Sequence, residues 1–315
     1  MFRYILGRIL ALLPVLLLIS VSSFALIHLV PGDPAVIMAG LQAPDEVIQQ
    51  VREAMRLNIP IHLQVYEWYK ALVLHGDLGH SYFLNARVSA AILERMPLTL
   101  SVAVLAILLA SIVGIGLGVL SAVRQNSSVD KLAMVLSLGG LSIPNFWLGL
   151  MLIMYFSVRL GLFPTGGYVP WSQDLLGSLR SLALPTFTLG FTAAALIMRT
   201  SRAAMIEVLT EDYVRTARAK GLRKLVVVNK HALKNALLPI VTVIGNTFGL
   251  LLGGAVVTET VFSLPGMGRL VALSILRRDY PLIQGALLTV GVLYVIVNLL
   301  VDVFYCLLDP RVKFD

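Results

Sequence analysis

The 315-residue chain is 58% hydrophobic and only 13% charged, with a mean hydropathy of +0.87. An ordinary soluble domain, with about 25% charged residues, is excluded. The net charge of +8 comes from basic side chains set between apolar runs, the pattern of the positive-inside rule rather than of a nucleic-acid-binding protein.

A helix needs roughly 20 apolar residues to cross the hydrocarbon core. Residues 1–30 open with a basic start and then run apolar from Ile9 to Val30, too long for a signal-peptide core and without a small-x-small cleavage site before "PGDP". They are expected to form a retained first span. Residues 31–97 form one large insertion, expected as a periplasmic or extracellular helical loop. Within it "PDEVIQQVREAMRLN" starts with Pro44 and two acids and ends with Arg52 and Arg56, matching the helix macrodipole at both ends. "IHLQVYEWYKAL" repeats apolar residues at Ile61, Val65, Trp68 and Leu72, a second helical stripe. The insertion reads as a small helical cap or as an amphipathic collar on the membrane. His75 and His80 flank "GDLG", a pattern better explained by a solvated turn than by a metal site.

Residues 98–307 hold five further spans: Leu98–Val123, Leu132–Leu160, Ser181–Thr200, Leu237–Phe262 and Leu282–Leu307. Pro144, Pro185 and Pro239 lie inside or at the edges of these spans, as membrane helices tolerate. Residues 201–236 are the longest inner loop, and 308–315 are a short tail. With the N-terminus inside, fifteen of the 25 Lys and Arg fall on the inner side, nine of them from Arg199 to Lys234. Both termini are therefore expected in the cytoplasm, although Arg269, Arg277 and Arg278 cluster outside.

No lysine is followed by Ser or Thr, so the chain lacks the GK[ST] end of a P-loop and cannot bind ATP that way. Cys306 is the only cysteine, which rules out an internal disulfide and a thiolate metal cluster. Of the acids, Asp302 alone lies well inside a span, sharing a helical face with Asn298, while Glu259 sits at an outer edge. That is thin material for a proton relay.

Against this apolar background "EDYVRTARAKGL" stands out. Thr210 is placed to cap a short helix, Glu211 and Asp212 fill its first turn, Arg218 and Lys220 close its last, and Gly221 supplies the left-handed stop before Leu222. Glu211 and Arg215 are spaced as an i,i+4 pair, with Thr216 on the polar side. Tyr213, Val214, Ala217 and Gly221 gather on a narrow apolar face. Two readings follow from the residues alone: a solvated connector, or a helix laid into a partner's groove. Further on, Gly245, Gly249 and Gly253 repeat every four residues, with Asn246 beside the first, and Gly114 and Gly118 do the same in the second span. Such stripes allow close helix packing and could also line a translocation path.

The charged stretch, followed by "KHALKNALLP" at Lys230–Pro239, resembles the cytoplasmic signature of permease subunits of binding-protein-dependent ABC importers. The resemblance is nearest to the dipeptide, oligopeptide, glutathione and nickel branch. "PGDP" at Pro31–Pro34, "GDLGHS" at Gly76–Ser81, "PNFWLG" at Pro144–Gly149, "FSLPGMGRL" at Phe262–Leu270, "RDYPLIQ" at Arg278–Gln284 and "LLDPRVK" at Leu307–Lys313 extend it along nearly the whole chain. In the slot where the general family signature has Glu-Ala-Ala, this chain has Arg215, Thr216 and Ala217.

The resemblance implies an all-α membrane protein with the type I importer permease fold and six transmembrane helices, in a bacterial inner membrane. It implies a second homologous permease, two ATPase subunits and an external solute-binding protein as partners. ATP and Mg would be bound by the ATPases, with no cofactor or catalysis in this chain. The helix at Glu211–Leu222 would couple the ATPases to the spans, and the solute would be a small peptide or, alternatively, nickel or a metal chelate. An ion-coupled secondary carrier would instead show paired midplane acids or inverted repeats of broken helices, and neither is found.

Overall fold

Long apolar helices dominate the computed structural model, which describes residues 14–15, 17–22, 24, 33–40 and 42–308. The expected first span lies largely outside these residues; its described part, within 14–24, is helical. The insertion follows as α1 (Pro34–Ala39), α2 (Asp45–Ala54) and α3 (Ile61–His75), then a two-residue ladder of β1 (His80–Ser81) and β2 (Ala86–Arg87). Both helices read from the hydrophobic stripe and the terminal charges are present, while the turn expected around His80 is a small hairpin.

The long helices are α4 (Val88–Val123), the pair α5 (Ser128–Ser142) and α6 (Asn145–Leu152), α7 (Leu175–Leu209) and α10 (Leu233–Val261). Between α7 and α10 lie α8 (Asp212–Ala219) and the short α9 (Lys224–Val226); α11 (Met267–Arg277) and α12 (Tyr280–Leu308) complete the chain. Among the described residues four helices are long and apolar enough to cross a membrane, and α5 with α6 and its π-helical extension makes a fifth if counted as one span.

Several boundaries differ from expectation, among them the start of the span expected from Leu237, whose helical run begins at Lys224. The 132–160 span is not one rod: its halves meet at 101°. Pro144 has no N–H to continue the helix, and it drives Ile143 into an extended conformation at φ −79°, ψ 122°. The other prolines, Pro97, Pro185 and Pro239, lie inside unbroken helices. The span expected from Leu98 begins instead at Val88, and the one expected over Ser181–Thr200 extends at both ends to Leu175–Leu209. Hydropathy marks only the greasy centre of a helix; polar turns such as those carrying Glu94, Arg202 and Glu207 continue it into water.

The chain divides into two compact units, one of Thr99–Leu264 with the residues from Ile296 on, the other of residues 2–98 with Pro265–Val295. In the first unit α7 is the central helix: 61% of its apolar window is buried, against 39% for α4. Lipid gives apolar side chains no reason to leave it, so such helices associate by close fit. Gly114 and Gly118 of α4 provide it. A Cβ on Gly114 would lie 2.9 Å from the Ala194 carbonyl oxygen, and one on Gly118 only 2.6 Å from Ser201 Cβ. Gly140 of α5 approaches Ala195 in the same way, at 2.8 Å.

The second unit has its own core, in which Val88 and Ile92 at the start of α4 meet Met267 and Leu270 of α11 and Leu282 and Ala286 of α12. Asp279, fully buried just before α12, accepts hydrogen bonds from Ser81 Oγ at 2.5 Å and from the Phe83 N–H at 3.0 Å. Asp33 of "PGDP" caps α1, accepting from the Ala35 N–H at 2.9 Å and pairing with Arg52. Burial pushes its carboxyl up, but the Arg52 and Ala35 hydrogen bonds outweigh this and hold it below the usual carboxylate range.

The second glycine stripe is split. Gly245 lies against Val301 with no room for a side chain and Gly249 is buried, but Gly253 is exposed, with open space where a Cβ would be. Asn246, next to Gly245, is exposed. The expected i,i+4 pair of Asn298 with Asp302 involves a side chain outside the described residues, as does Cys306. Gly118→Leu should therefore lower the thermal stability of the detergent-purified protein by about 1–3 kcal/mol through overpacking, and Gly253→Leu should leave it nearly unchanged. Equal losses in a melting assay would mean that the α4–α7 contact is not the tight one.

Candidate functional site

The charged stretch forms a discrete helix, and its geometry is built from the loop upward. Helix α7 ends at Leu209, with Thr210 as its C-cap: the Thr210 hydroxyl donates to the Glu207 carbonyl at 2.7 Å. Thr210 therefore closes one helix and does not cap the next, as its position had implied. The N-cap of α8 is Glu211, extended at φ −66°, ψ 148°, whose carbonyl accepts from the Val214 and Arg215 N–H groups. Arg215 pairs with Asp212 at 3.2 Å in i,i+3 spacing, not with Glu211, because Glu211 lies outside the helical turn. Thr216 donates to the Asp212 carbonyl at 2.9 Å. Lys220 is the C-cap, and Gly221 takes φ +76°, the left-handed stop its position called for.

The apolar face is where expectation and structure part. Val214 is fully buried and Ala217 nearly so, packed on Val227 with Val208 and Leu209 around them. This face is thus occupied by the chain's own residues and is no groove ligand. Tyr213 is separated from it and exposed, its phenol oxygen accepting from Asn235 Nδ2 at 2.7 Å. What α8 presents outward is the ring of Tyr213 and the side chains of Asp212, Arg215, Arg218 and Lys220, with exposed Leu222 beyond the stop. The chain then enters α9 and a π-helical segment, Val227–Ala232, before α10. Single π turns of this kind interrupt the regular hydrogen-bond ladder and recur at functional positions.

A buried ion pair fixes the helix that feeds α8. Asp130, at the start of α5 and 3% exposed, accepts from Arg202 of α7 at two points, Nε–Oδ1 at 2.6 Å and Nη2–Oδ2 at 2.8 Å. It also accepts from the Ser121 hydroxyl of α4 and from the Asn126 N–H at 2.8 Å. Sequence reasoning missed this pair. A local signal existed in Ser127-x-x-Asp130 ahead of an apolar run, a helix-start pattern: the Ser127 hydroxyl accepts from the Asp130 N–H at 3.3 Å. The partner, far away in sequence, left no such signal.

Several of the motifs meet in space. The charged stretch and "KHALKNALLP" join through Tyr213 and Asn235, "GDLGHS" and "RDYPLIQ" through Ser81 and Asp279. "PNFWLG" and "FSLPGMGRL" meet where Gly149 lies against Phe262, a Cβ there standing 3.1 Å from the ring.

Two outcomes follow. In a variant with Cys306 replaced by Ser, Tyr213→Cys should react rapidly with a water-soluble maleimide and Ala217→Cys slowly; equal rates would mean that α8 is not seated on Val227. Asp130→Ala should destabilise the protein by about 3–5 kcal/mol, since it leaves the Arg202 guanidinium uncompensated. Asp212→Ala, whose pair with Arg215 is solvent-exposed, should cost less than about 1 kcal/mol. Parallel melting curves distinguish the two.

The chain is similar to known proteins along nearly its whole length. Residues 114–314 match the family model of the binding-protein-dependent transport system inner membrane component, and residues 1–103 match the model of the N-terminal part of such membrane components. A protein of Brucella abortus named as a peptide transport system permease is 44% identical over 99% of both chains. The glutathione transport system permease protein of Salmonella typhimurium is 41% identical over the whole of both. An inward-facing crystal structure of the MetNI methionine ABC transporter shares the fold at a TM-score of 0.59 and 18% identity, covering 70% of this chain and 97% of that one. The chain therefore belongs to the family of inner membrane components of binding-protein-dependent transport systems, and is a multi-pass permease subunit of an ABC importer.

Proposed function

We propose that this permease, together with a second homologous permease, forms the path by which a small peptide enters the cell. An external binding protein delivers the peptide, and two partner ATPases bind ATP and Mg and drive the cycle. Relatives named for peptide and glutathione transport, alike over nearly the whole chain, support the peptide class. The missing GK[ST] sequence supports the assignment of ATP hydrolysis to partners. Six spans with both termini in the cytoplasm are the topology in which α8 faces those ATPases, and the basic residues of 201–236 support it.

The observation that carries the coupling role is the two-sided character of α8. One side is locked into the subunit through Val214 and Ala217, while the other offers Tyr213 and alternating charges to the aqueous side. A connector with no partner would need no such anchoring. A helix that must transmit force needs both a grip on its own subunit and a surface for another. The partner surface is thus the polar side with Tyr213, and crosslinkers belong at Tyr213 and Arg215 rather than at Ala217.

Gly221 provides the test. Nothing crowds a Cβ there, so a substitution is felt only through φ +76°, which a β-branched residue resists and Asn tolerates. Gly221→Val should abolish binding-protein-stimulated ATP hydrolysis and uptake in an assembled complex that still receives loaded binding protein. Gly221→Asn should keep both. Normal uptake in the Val variant, or crosslinkers at Tyr213 and Arg215 that never reach an ATPase, would show that α8 is not the coupling element.

A further inference from the structure

A cavity of about 600 Å³ opens beside α8, between the last residues of α4, the last turn of α7 and the start of the rod leading to α10. Its charged lining residues are Arg124, Arg218 and Lys224, with no carboxylate among the lining. Among the described residues none of the three cations makes an ion pair, in contrast to Arg202 and Arg215 on neighbouring elements. The rest of the lining is mainly hydrocarbon, including Val123, Leu209, Val227 and Val228. The three cations are exposed while Val227 and Val228 are buried, so charge faces water and hydrocarbon faces inward. Helix α4 ends here at Val123, the last residue of its apolar run, which sets the cavity at the level where that span leaves the bilayer, and the polar last turns of α7 border it on the aqueous side.

We propose that this cavity binds the phosphate headgroup of an anionic phospholipid of the inner leaflet, with the start of its acyl chains against the apolar wall. Unpaired cations above hydrocarbon, at the membrane surface, match a phosphate ester joined to acyl chains. An acidic segment of a partner protein fits less well. It would bring backbone N–H and C=O groups into a space whose neutral polar partners are few, Gln125 and Thr210 side chains among them. Because Arg218 belongs to α8, and Leu222 also lines the cavity, the lipid would brace the coupling helix against the ends of α4 and α7. The site is independent of which solute is carried, and its phosphate chemistry could also be met by free phosphate.

The test uses the full chain, alone and in its assembled importer complex, in nanodiscs of phosphatidylcholine with phosphatidylglycerol as the minority lipid. Native mass spectrometry then counts retained lipid. Wild type should retain phosphatidylglycerol in preference to phosphatidylcholine. Each cation near a membrane surface contributes about a five-fold preference, so Arg124→Gln with Lys224→Gln should weaken retention about twenty-five-fold. Gln125→Glu, which adds an acid to the lining without removing a cation, should weaken it as well. Arg223→Gln, an exposed cation of the same loop outside the lining, should change nothing. Nanodiscs present both faces to the medium, so the result does not depend on the orientation assigned to the loop. Equal loss in Arg223→Gln would reduce the effect to general surface charge and overturn the site. Inorganic phosphate that binds the full chain while phosphatidylglycerol does not would replace the lipid by a free anion. Loss of ATPase from the complex with lipid retention unchanged would make the cavity a protein-docking surface and overturn the proposal.

Discussion

The pairing of Asp130 with Arg202 is the constraint from which the half of this permease that carries α8 follows. A carboxylate taken out of water is expensive unless every lone pair finds a donor, and Asp130 has donors from three directions: Arg202 on α7, Ser121 on α4 and the Asn126 backbone. Satisfying it fixes the rotation and axial position of α7 against α4 and α5 more closely than apolar contacts could, since those tolerate sliding. Helix α7 in turn ends at Leu209, and Glu211 starts the cap of α8. The direction in which α8 presents its polar side is therefore set by a bond on the preceding helix.

Above that bond the same three helices are held by fit. The glycines of α4 and α5 bring the backbones close to Ala194, Ala195 and Ser201 of α7, where nothing larger than hydrogen can sit. Ser137 adds a hydrogen bond to the Ala195 carbonyl at 3.0 Å, and Thr192 donates to Asn145 Oδ1 at 2.6 Å just beyond the Pro144 bend. Such bonds matter more for alignment than for energy, because the unfolded segment in a bilayer also finds partners. The break at Pro144 is compatible with this packing: Asn145, at the first turn of α6, meets α7 because the chain turns there. A straight span would have carried it elsewhere.

The features legible in the sequence were those written locally. The long apolar runs, the two helices of the insertion and the left-handed glycine after α8 each depend on neighbours within a few residues, and each is present. Three features were not legible, for one shared reason. The burial of Val214 and Ala217 requires Val227, the charge of Asp130 requires Arg202, and Ser81 requires Asp279; each partner lies beyond the three- and four-residue spacings that a helical pattern records. An amphipathic helix reads the same whether its apolar side meets another protein or its own chain. Pro144 differs: the signal was local, yet Pro97, Pro185 and Pro239 sit in unbroken helices, so proline alone did not specify which helix would bend.

The way α8 is held bears on how a push upon it would travel. Its N-terminal side joins α7 through Thr210 and Glu211, its apolar side rests on Val227, and Tyr213 is tied to Asn235 at the start of α10. A displacement applied to the polar side in the proposed coupling role would reach both α7 and α10, which pack against each other. It cannot rotate α7 freely, because Arg202 is held by Asp130. Between α8 and α10 the regular helical ladder is interrupted at the π-helical Val227–Ala232, the segment on which α8 rests. Motion imposed at α8 would thus be borne mainly by α10, pivoting on a fixed α7. A nucleotide cycle in the partners can move that pivot only by as much as it binds one position better than the other, so the hold of Asp130 on α7 and the interrupted ladder at 227–232 bear on where the free energy of that preference is expressed.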